Sequence, residues 1–205
     1  RYSFSLQNDI RIVFDSLTPD SQLQWSLTGP NGAVVPATPL RAADSGDLAG
    51  NAALNLKAGD YTLSVDGVGD KTGDYSFRLL DLGRAPVLTP GTPLAGQLMP
   101  GNGTNAYRFD AASSERFSFA FSGSGGSAQL RLIGPDGSTV WALAGLNHYI
   151  DALTLDKAGA YTLLVEGAVT QPSGQPINYS LSVHRVVDRT AALNLGELAS
   201  GSIEM

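Results

Sequence analysis

The strongest constraint on this 205-residue chain is that it repeats itself. Arg11-Ile12-Val13-Phe14 recurs as Arg116-Phe117-Ser118-Phe119, and Leu27-Thr28-Gly29-Pro30-Asn31-Gly32 recurs as Leu132-Ile133-Gly134-Pro135-Asp136-Gly137, both at a spacing of 105 residues. Tyr2-Ser3-Phe4 precedes Tyr107-Arg108-Phe109 by the same interval. Lys57 through Leu63 precedes Lys157 through Leu163 by 100, and Tyr75-Ser76-Phe77 precedes Tyr179-Ser180-Leu181 by 104. A near-constant period whose small slips fall in turn-rich stretches marks tandem structural units with variable surface loops. Gly91 through Leu98 is echoed once more, at 105, by Gly196 through Ile203. The period divides the chain into residues 1–87, a first unit lacking its opening strand, residues 88–187, a complete second unit, and residues 188–205, the opening strand of a third.

Within each unit apolar residues alternate with polar ones: Tyr2, Phe4 and Leu6; Ile10, Ile12 and Phe14; Tyr61, Leu63 and Val65; and in the second unit Phe117, Phe119 and Phe121, then Tyr161, Leu163 and Val165, then Tyr179, Leu181 and Val183. Period two is the signature of a strand with one face buried. Gly29-Pro30-Asn31-Gly32 and Gly134-Pro135-Asp136-Gly137 place Pro where φ near −65° is wanted and Gly where positive φ is tolerated, so each closes a hairpin. Many short strands and turns, with no helical period, predict an all-β fold of tandem β-sandwiches with a jelly-roll or Greek-key path. Trp25, 105 residues before Leu130, is expected in a core.

Composition excludes several functions. Thirteen Lys and Arg against 19 Asp and Glu leave a net charge of −6, with no basic cluster to attract nucleic acid or an anionic membrane. There is no run of apolar residues long enough for a membrane-spanning helix, so membrane insertion is not expected. No cysteine is present, which removes disulfides, thiolate metal sites and a thiol nucleophile. The chain opens Arg1-Tyr2-Ser3-Phe4, without an initiator Met or a basic and then apolar leader. It reads as a piece of a larger exported bacterial protein, secreted or held at the cell surface.

The run Ala58-Gly59-Asp60-Tyr61-Thr62-Leu63-Ser64-Val65-Asp66-Gly67 and its echo Ala158 through Gly167, together with the Gly-Pro-Asn/Asp-Gly turns and the Tyr-x-Phe strands, resembles the bacterial pre-peptidase C-terminal domain. In that family a closing Gly-x-Tyr strand is usual, and here Asn178 stands in place of Gly before Tyr179. The resemblance implies an accessory module of secreted proteases, or a repeat of large surface proteins and adhesins, and it implies relatives that bind collagen or Ca²⁺. Calcium-binding relatives carry acids just before the Tyr-x-Phe strand, where this chain has Gly101-Asn102-Gly103-Thr104-Asn105-Ala106, with amides instead of carboxylates.

Two stretches are candidate binding sites. Trp141 and Tyr149 lie between the second turn and the next strand, and an exposed aromatic pair there would suit a sugar or a protein. Asp66, Asp70 and Asp74 share a hairpin loop in which three carboxylates could converge on Ca²⁺, against the simpler reading of a solvated turn. No other cofactor is expected. His148 and His184, the two imidazoles, fall in different elements, and Gly123-Ser124-Gly125-Gly126-Ser127 lacks the strand-turn-helix setting of a nucleophilic serine or a phosphate cradle. No nucleophile, base and orienting group can be named, so the chain is expected not to be an enzyme. The expected function is a structural spacer or adhesive repeat, the alternative being a ligand-binding module for carbohydrate, collagen or other matrix in a secreted hydrolase. The expected partners are neighbouring repeats, an extracellular carbohydrate or protein, and, through the orphan segment Ala192 to Met205, an open sheet edge in a strand-exchanged oligomer.

Overall fold

The structure is a computed structural model and describes residues 1–43, 52–188, 190, 192–196 and 198–200. The first repeat contributes strands β1 (Tyr2–Leu6), β2 (Ile10–Ser16), β3 (Leu23–Gly29), β4 (Gly32–Pro39), β5 (Ala53–Leu56), β6 (Gly59–Gly67) and β7 (Phe77–Asp81). The second contributes β8 (Leu94–Leu98), β9 (Thr104–Ala111), β10 (Glu115–Ser124), β11 (Ala128–Ile133), β12 (Thr139–Ala144), β13 (His148–Leu155), β14 (Gly159–Gly167) and β15 (Ile177–Val186).

In the second repeat the strands pair antiparallel in the orders β13-β10-β15-β8 and β12-β11-β14-β9, which is the path of an eight-stranded jelly roll. The first repeat reproduces it strand for strand as β5-β2-β7 and β1-β6-β3-β4, without a counterpart of β8. Register is preserved with the sequence echo. Tyr2 faces Leu63 and Phe4 faces Tyr61, as Tyr107 faces Leu163 and Phe109 faces Tyr161. The fold is thus all-β, two tandem sandwiches, as the alternation predicts.

The alternating residues fill one core per sandwich. In the first, Phe14 stacks on Trp25 and packs with Leu27, Leu40, Leu56 and Leu63. In the second, Phe109, Phe117, Phe119, Leu132, Leu163 and Leu181 play the corresponding parts. Each core is pinned by a phenol that reaches back along its own chain: Tyr61 Oη donates to the Lys57 carbonyl and Tyr161 Oη to the Lys157 carbonyl, both at 2.8 Å. That bond explains why the Lys-Ala-Gly-x-Tyr run recurs. Gly32 and Gly137 close their hairpins at φ +100° and +86°, which a side chain would strain.

Alternation fails in three strands: Ile12 through Ser16 of β2 are all buried, and so are long runs of β11 and β14. All six residues of β11 are buried, as are Tyr161 through Gly167 of β14, so both faces of these strands are covered. The inner face packs on the second core and the outer face on the first sandwich.

Candidate functional site

The outer face of β2, β5 and β7 lies against the outer face of β11, β14 and β9. Val13, Ala53 and Leu82 of the first repeat and its linker form one cluster with Ile133 and Leu164 of the second, and Leu80 and Ala106 pack at its margin. Val13 pairs across the sheet with both Leu80 and Ala53, and Leu164 pairs with Ala106, so each side presents a continuous apolar patch. Two sheets meeting through such patches are held by the same burial that builds a sandwich interior.

Beside this patch lies a polar cluster whose carboxylates are fully buried. The Arg131 guanidinium donates to Glu166 Oε2 at 3.1 Å, and both side chains have zero exposure. Gln129 Nε2 donates to the same oxygen. From the other repeat, Asp15, equally buried, accepts from Arg78 Nε at 2.6 Å, while Arg78 Nη2 reaches across to the Thr104 carbonyl at 2.9 Å. A Cβ on Gly103 would lie 2.7 Å from Arg78 Nη2, so glycine there makes room for the crossing. Burial raises the pKa of both Asp15 and Glu166 above the ordinary carboxylate range, since loss of water outweighs the neighbouring arginines, and the Asp15 charge adds to the rise at Glu166.

Three further ties cross the boundary. Arg11 donates to the carbonyls of Gly134 and Pro135, at 3.2 and 2.8 Å, gripping the tight turn of the second repeat. Asn102 Nδ2 donates to the Leu17 carbonyl at 3.0 Å. The linker itself is fixed: Leu88 N–H donates to the Arg108 carbonyl, Arg108 N–H to the Pro86 carbonyl, and Val87 makes a parallel bridge with Arg108. The Asn102 segment thus ties the two repeats together.

The sequence-derived candidates are placed apart. Trp141 turns inward and packs edge-on against Phe119 and Phe121. Tyr149 sits opposite Ala120, on the outer side of the neighbouring sheet, and is 65% exposed. Register gives Tyr149 the opposite face to Ile150, which packs on the core, so the pair does not form one platform. Asp66 Oδ1 accepts from the Gly67 N–H. Among the described residues no three acidic or imidazole side chains gather as a metal site, and Asp66, Asp70 and Asp74 do not converge. His148 Nε2 bonds the Ala144 carbonyl at 2.8 Å.

Sequence reasoning passed over the interface residues themselves. Their signal was present as differences between the copies: Ile133 stands where the first repeat has Thr28, Leu164 where it has Ser64, Arg131 where it has Ser26, and Val13 where the second has Ser118. Residues that turn apolar or charged in one copy alone, on the face expected to meet water, mark a surface that is covered in that copy alone.

No protein-family model matches the chain, and no curated protein matches it. Among solved structures, the chain is similar to the pre-peptidase C-terminal domain of a collagenase from Bacillus anthracis, at 24% identity over 49% of this chain and 94% of that one, with a TM-score of 0.40. It is also similar to PliG, a periplasmic inhibitor of g-type lysozyme, from Aeromonas hydrophila, at 18% identity over 49% of this chain and 96% of that one, TM-score 0.36. The Salmonella Typhimurium PliG covers the same share of this chain at 18% identity, with 99% of its own length matched and a TM-score of 0.32.

Proposed function

We propose that this chain is a non-catalytic, extracellular pair of β-sandwich repeats serving as a stiff spacer in a larger exported protein. The observation that carries the reading is the covered interface: sheet outer faces that ordinarily meet water carry an apolar patch shared by both repeats, an ion pair buried within each repeat beside it, and hydrogen bonds from Arg78, Arg11 and Asn102 to backbone carbonyls of the other repeat. A hinge between domains would leave that face polar and its linker unbonded. The carboxyl groups whose pKa burial raises, Asp15 and Glu166, lie in this seam and not in a cleft, which favours a structural role over acid–base chemistry. Small-angle scattering of the pair tests the reading: a single stiff envelope at all salt concentrations supports it, and a flexible two-body profile refutes it. Hydrolysis of protein or glycan substrates by the purified chain would refute the non-catalytic part.

A second reading, a carbohydrate-binding module, is favoured by one surface. The outer face of β10 and β15 carries Ser118, Ser122, Ser180 and Ser182, with Ser122 and Ser180 hydroxyls 2.8 Å apart, and Tyr149 stands beside them. An exposed ring next to a flat field of hydroxyls suits a sugar face. Glycan-array binding lost on Tyr149→Ala would establish it, and a silent array would remove it.

A further inference from the structure

The strand expected to open a third repeat falls partly outside the described residues, and those described between 188 and 205 lie in no strand. The chemistry that the spacer leaves unused lies in the seam, at Asp15 and Glu166. Each carboxyl group spends one oxygen on its own repeat. Asp15 Oδ2 takes Arg78 Nε and Nη2, at 2.6 and 2.5 Å, and Glu166 Oε2 takes Arg131 Nε and Gln129 Nε2, each at 3.1 Å. Their other oxygens, Asp15 Oδ1 and Glu166 Oε1, are buried and lie in no hydrogen bond among the described residues, and the same holds for Thr104 Oγ1. The side chains of Asp15 and Glu166 have zero exposure, and Thr104 is 2% exposed.

These three oxygens belong together. Thr104 of β9 stands directly opposite Glu166 of β14, and cross-strand partners share a face of the sheet. From the other repeat Asp15 faces Thr104 closely: burial is the main cause raising the Asp15 pKa, and the Arg78 guanidinium and then the Thr104 hydroxyl and N–H oppose it. The Asp15 charge in turn reaches Glu166 and adds to the rise that burial causes there. Thr104 is thus placed between two carboxyl groups of different repeats. The charged groups facing them among the described residues are Arg78 of β7 and Arg131 of β11, with Gln129 the neutral donor. Arg131 is fully buried, whereas Arg78 is 38% exposed and shares its charge with water, so the buried centre sets two carboxylates against one guanidinium. Hydrogen-bonding capacity points the same way. Ionised carboxylate oxygens only accept and one hydroxyl can donate to one of them, so one buried acceptor is left over unless a proton is added.

We propose that the seam binds one proton, held between Glu166 Oε1 and Asp15 Oδ1 by the Thr104 hydroxyl, and that its loss to solvent at alkaline pH loosens the two repeats. The protonated Glu166 carboxyl donates to Thr104 Oγ1, and the Thr104 O–H donates to Asp15 Oδ1. All three oxygens are then satisfied and the buried centre is neutral. When base removes the proton, two carboxylates from different repeats repel across the boundary, and parting of the sheets lets water reach both. Because the folded carboxyls hold protons more tightly than unfolded ones, the stabilisation is complete below the unfolded range near about 4 and is lost as pH rises through the raised folded values. This latch rests on the spacer reading and makes the stiffness of the pair depend on pH.

Infrared spectra of the chain across a pH series, with spin-label distances between the repeats on the same samples, test the latch. At pH 6, where exposed carboxylates are ionised, the carbonyl stretch of a protonated carboxyl should remain, fade as pH rises toward 9, and be missing in Glu166→Gln. Thr104→Val should move that band to higher frequency, the mark of a carboxyl O–H without an acceptor, whereas Thr104→Ser should leave it in place. Glu166→Gln carries a donor there permanently, so its urea midpoint should stay level from pH 5 to pH 8 where the native midpoint falls. The distance distribution should be narrow at pH 6 and broaden toward pH 9 in the native chain, and stay narrow in Glu166→Gln. No protonated-carboxyl band at pH 6, or a midpoint that falls equally in the native and Glu166→Gln chains, would overturn the latch. A distribution equally narrow at both pH values would overturn it while leaving the spacer standing, and one already broad at pH 6 would remove the spacer and the latch with it.

Discussion

Arg131→Met is the most informative single change in the seam between the repeats. It removes the guanidinium beside Glu166 and leaves a carboxylate of zero exposure next to the Gln129 amide donor. Breaking a buried pair this way costs about 3 to 5 kcal/mol. The opposing quantity is the apolar burial that docks the two sheets. Val13, Leu82, Ile133 and Leu164 are each almost fully buried, and at about 1.5 to 3 kcal/mol per side chain they supply on the order of 6 to 12 kcal/mol, an upper estimate. The substitution therefore removes a large part of the docking energy while leaving each core untouched, since Arg131 points away from the second core and would meet water if the repeats parted. Scanning calorimetry and urea unfolding should show one cooperative transition for the native chain and two for Arg131→Met. The double variant Arg131→Met/Glu166→Leu, which replaces the pair by apolar groups, should recover most of the lost coupling. Glu166 can relieve its isolation by taking a proton, so the loss from the single change should be larger at pH 8 than at pH 5. An Arg131→Met midpoint within about 0.5 kcal/mol of the native one, the range of an ordinary surface change, would show that the pair is not buried.

Other outcomes follow from the same geometry. Asp15 and Glu166 hold their protons more tightly folded than unfolded, so their contribution to stability grows as pH falls through the raised folded values toward the unfolded range near about 4. Asp9 and Asp136, both exposed, and the half-buried Asp20 are shifted the other way, chiefly by hydrogen bonds from Lys57, Lys157 and Lys71, and their contribution is lost as pH falls below that range. The urea midpoint should thus be higher at pH 5 than at pH 8, and a lower midpoint would contradict the sealed carboxylates. Gly96→Val drives a side chain into the Tyr179 ring and should destabilise the second repeat by about 1 to 3 kcal/mol, read as a lower urea midpoint of the chain. Trp141→Ala should cost about 3 kcal/mol because its ring packs on Phe119 and Phe121, whereas Tyr149→Ala should stay within about 0.5 kcal/mol.

The inner architecture was legible because burial writes itself into period two. Trp25 could be assigned to a core from its alignment with Leu130, and both hairpin turns from Gly-Pro-Asn/Asp-Gly, since each rests on local chemistry that one strand or turn reveals. The seam was not legible in one copy alone. Leu164 between Leu163 and Val165 breaks the alternation, and Arg131 and Glu166 resemble ordinary solvent-facing charges until a second sheet is laid over them. The Asp66, Asp70 and Asp74 loop shows the opposite limit: three carboxylates close in sequence need not converge, because hairpin geometry and not spacing sets where they point. Trp141 and Tyr149 are eight positions apart on neighbouring strands of different sheets, and strand register sends one ring inward and the other out.

The stiffness of the pair is tested most directly by a distance distribution across the seam. The chain has no cysteine, so Ser3→Cys and Ser180→Cys, both exposed, give one spin label on each repeat with no background. Double electron–electron resonance on this chain should return a single narrow peak that broadens when Arg131→Met is added. A broad distribution in the chain with Arg131 intact would mean that the two sandwiches move independently, and the spacer built on their interface would fall with it.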